Sequence, residues 1–203
     1  IEKMWQFALE QSALDRRVAG VGIVGARFNW VLGVIQRLDD SELTGAVDVD
    51  YIGNGHVAFY SARVLREFGL FHGELFFGNT EVEYGLRLCK NGYRLLANSS
   101  LWRQRRELQN RVGLQIRAAW TSKTDWRKYY VIRNHIYMLK TQGRYDLALF
   151  HAVFQSFVKP LLTFMRSPRQ GLIALRQNTK ASVDGLLGRL GKRVEPESAP
   201  RDE

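Results

Sequence analysis

Two carboxylates open a helical pattern near the middle of this 203-residue chain. Glu81 and Glu83 follow an apolar run, Leu75-Phe76-Phe77, and a Gly78-Asn79 turn. Thr80 is the candidate N-cap, and acids in a first helical turn suit the positive end of the helix dipole. A carboxylate fixed there, beside a Gly-Asn loop, is placed to take a proton from a substrate hydroxyl, which is the work of a general base. The plainer alternative is that both acids only complement the dipole. Arg87 stands four residues after Glu83, the spacing of a helical ion pair, so Glu83 is expected to pair with it or to orient the loop.

The elements that must hold these groups follow from the surrounding pattern. Val82, Leu86 and Cys89 give the helix an apolar stripe with Glu81 on the opposite side. Asn91-Gly92 ends the helix, and Tyr93 to Ala97 reads as a short buried strand. Upstream, residues 1 to 17 read as an amphipathic helix, Val18 to Ala26 and Val31 to Ile35 as strands, Val47 to Ile52 and Val57 to Tyr60 as further strands, and Ser61 to Phe68 as a short helix.

The stretch from Gly69 to Trp102 resembles the acceptor-side motif of the family-2 inverting glycosyltransferases. Phe76, Phe77, Glu81, Val82, Glu83, Tyr84, Arg87, Gly92 and Tyr93 carry the match. Glu83-Tyr84-Gly85-Leu86-Arg87 and the later Asp125-Trp126-x-x-Tyr129-x-x-x-Arg133-Asn134 resemble the galactofuranosyl/rhamnosyltransferase-like branch. The resemblance covers roughly residues 20 to 140 and implies an α/β fold: the C-terminal half of a GT-A (Rossmann-like) domain over 1–120, a basic helical extension over 121–194, and a disordered tail over 195–203. It makes Glu81 the catalytic base. It places Gly53, Asn54, Gly55, Thr80, Glu83 and Arg87 in the acceptor loops. Where the family has the first acid of a pair, this chain has Thr80.

After Trp102 the family has a histidine that helps coordinate the donor's metal, whereas this chain has Arg103-Gln104-Arg105-Arg106. Guanidinium cannot ligate a cation, but it neutralises a diphosphate directly. Arg103 or Arg105 is therefore the expected partner of the donor diphosphate, the alternative being a basic loop without catalytic function. The resemblance implies a nucleotide-sugar donor and a glycan or lipid-linked acceptor. Any divalent metal, manganese or magnesium, would be held by strands expected upstream of Ile1, since the chain begins without methionine. No residue of this chain is assigned as a metal ligand. The competing reading is a non-enzymatic, basic membrane- or polyanion-binding module derived from the same fold.

Several other patterns carry less. Gly20-x-Gly22-x-x-Gly25 has dinucleotide-binding spacing, but it follows a helix and leads into a strand-like run, the reverse of the order that chemistry needs. Asp48-Val49-Asp50 is similar to a metal-binding Asp-x-Asp, yet it reads as a solvated strand face. Cys89 is alone, which excludes an internal disulfide, and its position marks a core residue. His135 has no neighbouring His or Cys and is read as a packed or surface side chain.

The charge is divided. Residues 1–88 hold 8 Lys+Arg and 12 Asp+Glu, while residues 89–203 hold 22 and 8, so the net charge of +10 belongs to the second half. An anionic partner is expected there. Nucleic-acid-binding motifs are not found, which argues for no nucleic acid and leaves a phosphate-bearing substrate or an acidic membrane. Leu147 to Met165 is the most apolar stretch, and His151, Gln155, Lys159 and Thr163 recur on it every fourth residue. With Pro160 inside and a lysine near its middle it is a poor span, and it reads either as an interfacial helix or as a helix packed on the catalytic domain. A cytoplasmic protein, peripheral on the inner face of the plasma membrane, is the expected location.

Overall fold

A computed structural model describes residues 1–53, 57–113 and 126–195. The chain divides into two compact units, Ile1–Phe71 with Glu81–Arg117 and His72–Thr80 with Ala118–Glu203. The segment preceding Glu81, His72–Thr80, belongs with the second unit.

The first unit is α/β. Helix α1 (Glu2–Leu14) leads into β1 (Val18–Gly22), β2 (Gly25–Asn29), β3 (Val34–Arg37), β4 (Ala46–Val49), β5 (Tyr51–Ile52) and β6 (Ala58–Tyr60). Helices α2 (Ala62–Phe68) and α3 (Thr80–Lys90), strand β7 (Arg94–Asn98) and helix α4 (Ser99–Leu108) complete it. One sheet is mixed, in the order β4-β7-β1-β6, with β1 and β7 parallel and the outer pairs antiparallel. The other is antiparallel, in the order β3-β2-β5. Alternation along β7 supplies both faces of the mixed sheet. Leu95 and Ala97 join Val64, Tyr84 and Leu88 in one core, while Leu96 joins Met4, Val18 and Val21 in the other.

The glycines of the dinucleotide-like pattern serve packing. A Cβ at Gly20 would meet the Tyr60 ring at 2.8 Å, and one at Gly22 would meet the Ile52 side chain at 2.1 Å. Four expectations are corrected. Val18 to Ala26 is not one strand but parts of two, β1 and β2, in different sheets. Val31 to Ile35 is not one strand: Asn29 Oδ1 accepts the Val31 and Leu32 N–H groups at 3.0 Å, Gly33 turns at φ 67°, and the strand begins only at Val34. Val47 to Ile52 is two strands in two sheets, so Asp48 and Asp50 do not share a solvated face. The Arg103 run is not a loop but the middle of α4, whose N-cap Asn98 accepts the Leu101 N–H at 3.2 Å.

The second unit is helical: α5 (Trp126–Thr141), α6 (Tyr145–Val153), a π turn (Phe154–Val158), α7 (Lys159–Phe164) and α8 (Pro168–Leu187). Gly143, at φ 84°, breaks α5 from α6 as Gln142-Gly143-Arg144 predicts. The widened turn precedes Pro160, which has no N–H to donate to the helix ladder. Asn54, Gly55, Asp125 and the tail beyond Glu195 lie outside the described residues.

Candidate functional site

The first turn of α3 is held in place by a glycine one turn later. A Cβ at Gly85 would lie 2.2 Å from the Asp50 carbonyl oxygen and 2.8 Å from Tyr51 Cα, so only glycine lets α3 rest on the backbone of β5. Glu81 shares that face, four residues earlier. Its carboxylate is half-buried and, among the described residues, takes part in no hydrogen bond or ion pair. Its charge reaches two phenols. Burial raises the pKa of Tyr51, an effect opposed by Arg37 and reinforced by Glu81. Burial also raises Tyr60, with Glu81 adding to the shift, and the Tyr60 hydroxyl is enclosed with no hydrogen-bond partner.

Glu83 is structural. It is buried and pairs with Arg87 through Oε1 to Nε at 3.1 Å, while Arg87 also donates to the Phe68 carbonyl at 2.5 Å and the Leu70 carbonyl at 2.9 Å. The Arg87 guanidinium stacks over the Tyr84 ring at 4.9 Å, so the pair ties α3 to the chain that leaves α2. The helix begins at Thr80, which puts the capping position on Asn79 and not on Thr80 itself. Gly53 donates its N–H to the Val24 carbonyl at 2.9 Å.

Tyr51 also lines a half-open cleft of about 690 Å³. Four arginines line the same cleft, Arg37 from the end of β3, Arg105 and Arg106 from α4, and Arg111 from the chain after it. Asp39 and Asp40 are its acidic lining residues. Arg106 pairs with Asp40 at 2.6 Å, and Asp40 Oδ2 accepts the Gly113 N–H at 2.7 Å, so this pair fixes the wall. Arg37, Arg105 and Arg111 leave the cleft net positive, a setting for a diphosphate-sized anion. Arg103 is not part of it, because it pairs with Glu107 at 3.0 Å, one turn along the exposed face of α4.

The Asp-x-Asp is accounted for by other partners. Asp48 pairs with Arg94 at 2.6 Å, and Asp50 Oδ2 accepts the Phe28 N–H at 2.6 Å. Among the described residues no group of three or more His, Cys, Asp or Glu is placed to hold a metal ion, so the side chains present here do not fit one. Cys89 is chemically quiet: burial pushes its thiol up to about 12, with the Asp50 and Asp48 charges adding to the effect.

In the second unit, the segment that runs into Glu81 is clamped from α5. Phe76, Gly78 and Asn79 all have positive φ, which is strained for a phenylalanine. The Asn134 amide donates to the carbonyls of Leu75 and Phe77 at 2.8 Å and of Gly78 at 3.0 Å. Arg133, fully buried, donates to the carbonyls of Leu75 at 3.0 Å and Gly191 at 2.6 Å and lies over the Tyr130 ring at 4.8 Å. A buried guanidinium remains charged and must be met by acceptors, and these carbonyls and rings meet it.

Sequence reasoning singled out Glu81 and Arg105 but not Tyr51, Arg37, Arg106 or Arg111. These four come from distant segments that only the fold brings together. No family model, curated protein or solved structure matches the chain.

Proposed function

We propose that the first unit is the acceptor side of an inverting, GT-A-type glycosyltransferase. The observation that carries this reading is the half-buried Glu81 carboxylate, held without a hydrogen-bond or ion-pair partner among the described residues, whose charge reaches Tyr51, a lining residue of the arginine cleft. Glu81 takes the proton from an acceptor hydroxyl, and that oxygen forms a bond to the anomeric carbon. The bond from that carbon to the diphosphate oxygen breaks with inversion. The departing diphosphate carries the charge, which Arg37, Arg105 and Arg111 neutralise. Glu83 and Arg87 are positioning groups.

The test is transfer or hydrolysis of sugar nucleotides by the full-length protein, with and without divalent metal. Turnover supports the reading. Tight nucleotide-diphosphate binding without turnover would favour the polyanion-binding module, which the arginine cleft alone would satisfy.

A further inference from the structure

The hairpin of α6, the π turn and α7 against α8 has its polarity reversed. A soluble hairpin puts apolar side chains inside and polar ones outside. Of the four-spaced polar stripe, His151 and Thr163 are buried and Gln155 and Lys159 half-buried; Ser156 is buried beside them, as are Asn178 and Ser182 on α8. Asn178 donates to the Gln155 carbonyl at 2.9 Å, and Ser182 to the Ala152 carbonyl at 3.4 Å. The seam on α8 is small, with Gly171, Ala174 and Ala181 buried, and a Cβ at Gly171 would meet the Phe164 backbone at 2.5 Å. Close backbones joined by small residues and side-chain hydrogen bonds are how helices associate where lipid removes the hydrophobic drive.

The outer face is correspondingly apolar. Phe150, Phe157, Leu161 and Met165 are 59, 62, 61 and 77% exposed. Tyr145–Phe164, 20 residues, is the one helix among the described residues long and apolar enough to cross a membrane by length and composition, and only 39% of its 18-residue apolar window is buried. Charge decides what covers this face. Between Leu147 and Val183 the chain carries 5 Lys+Arg and no Asp or Glu. Arg166, Arg169, Arg176 and Lys180 are exposed. Arg176 and Lys180, in the middle of α8, oppose a full crossing by that helix. In a hairpin lying in the plane of the membrane, their long stems instead carry the charges to the phosphates.

We propose that this hairpin lies in the interfacial layer of an anionic lipid bilayer, its α6–α7 face among the acyl chains and its α8 cations at the headgroups. This does not depend on the transferase reading. The experiment is flotation of the full chain with vesicles of phosphatidylglycerol and phosphatidylcholine, or of phosphatidylcholine alone. Binding is expected on the anionic vesicles, weaker on neutral ones, and reduced but not abolished in about 1 M salt as the charges are screened. Phe157→Glu/Leu161→Glu changes two exposed side chains and should lower partitioning about tenfold or more at unchanged helix content. Arg176→Glu/Lys180→Glu should remove the preference for anionic lipid. In a Cys89→Ser background, an environment-sensitive dye on Leu161→Cys should be quenched by acyl-chain nitroxides. A wild-type chain that ignores anionic vesicles, a dye at 161 shielded in a dimer and not by lipid, or a Phe157/Leu161 variant that loses its helices would each overturn the proposal.

Discussion

Asn134 donates its side-chain amide to the Leu75 carbonyl at 2.8 Å, in a part of the second unit closed to water. One short polar side chain thereby satisfies a turn whose backbone includes three positive-φ residues. The two motifs noted in the sequence, one ending at Arg133-Asn134 and one beginning at Phe76-Phe77, are joined by this bond and its neighbours.

Asn134→Ala leaves the carbonyls of Leu75, Phe77 and Gly78 without this donor, and stability should fall by about 2–4 kcal/mol. Urea unfolding of the full chain measures it. A loss within about 0.5 kcal/mol, the range of an ordinary surface change, would mean that the turn holds itself.

The cleft makes its own demand. Arg37→Ala and Arg105→Ala should each weaken pyrophosphate binding about tenfold, the loss of one charge-assisted contact, while Arg103→Ala should leave it unchanged because that side chain is paired with Glu107. Calorimetric titration of each variant separates them. Turnover should also persist in chelator. Complete loss there, restored by manganese or magnesium, would count against arginine in the metal's place.

Acid should loosen the first unit at a defined place. The Arg17 side chain first, then the Arg17 N–H and Arg94, hold Asp15 well below the usual carboxylate range. A lowered folded-state pKa gives stability that is present above the unfolded value, near 3.8, and is lost as the pH falls through the folded one. The gap in melting temperature between wild type and Asp15→Asn should therefore be full at pH 7 and close progressively below about pH 4. A gap that persists unchanged in strong acid would refute the role of its charge.

Helices α1, α2, α3 and α5 and strands β6 and β7 were legible because their signals are local, whereas α4 read as a loop and the paired strands β1–β2 and β4–β5 each read as one. Thr80 to Gly92 has its first-turn acids, its apolar stripe and its terminating glycine in one window, and the structure places α3 there. Glu83 with Arg87 was legible for the same reason, since four residues set one helical turn. The register of Val31 to Arg37 was not, because an asparagine side chain captured two backbone N–H groups and delayed the strand. Asp50 reads as part of a solvated strand face until β5 leaves for another sheet and its carboxylate meets the Phe28 N–H. Arg37, Arg105 and Arg111 converge only through β3 and α4, and nothing in their spacing announces it. The inward turn of the His151 stripe was beyond pattern reading too, because four-residue spacing defines a face but not the side it meets.

Glu81→Gln in the full-length protein tests the central claim most directly. The amide keeps the size of the side chain and removes its basicity. If Glu81 is the proton acceptor, turnover of sugar nucleotide to acceptor should fall by about two to four orders of magnitude, while donor affinity, read by calorimetry, stays nearly unchanged. Glu83→Gln serves as the control for helix integrity. Near-wild-type turnover in Glu81→Gln would contradict the assignment of the base and, with it, the proposed reaction at this site.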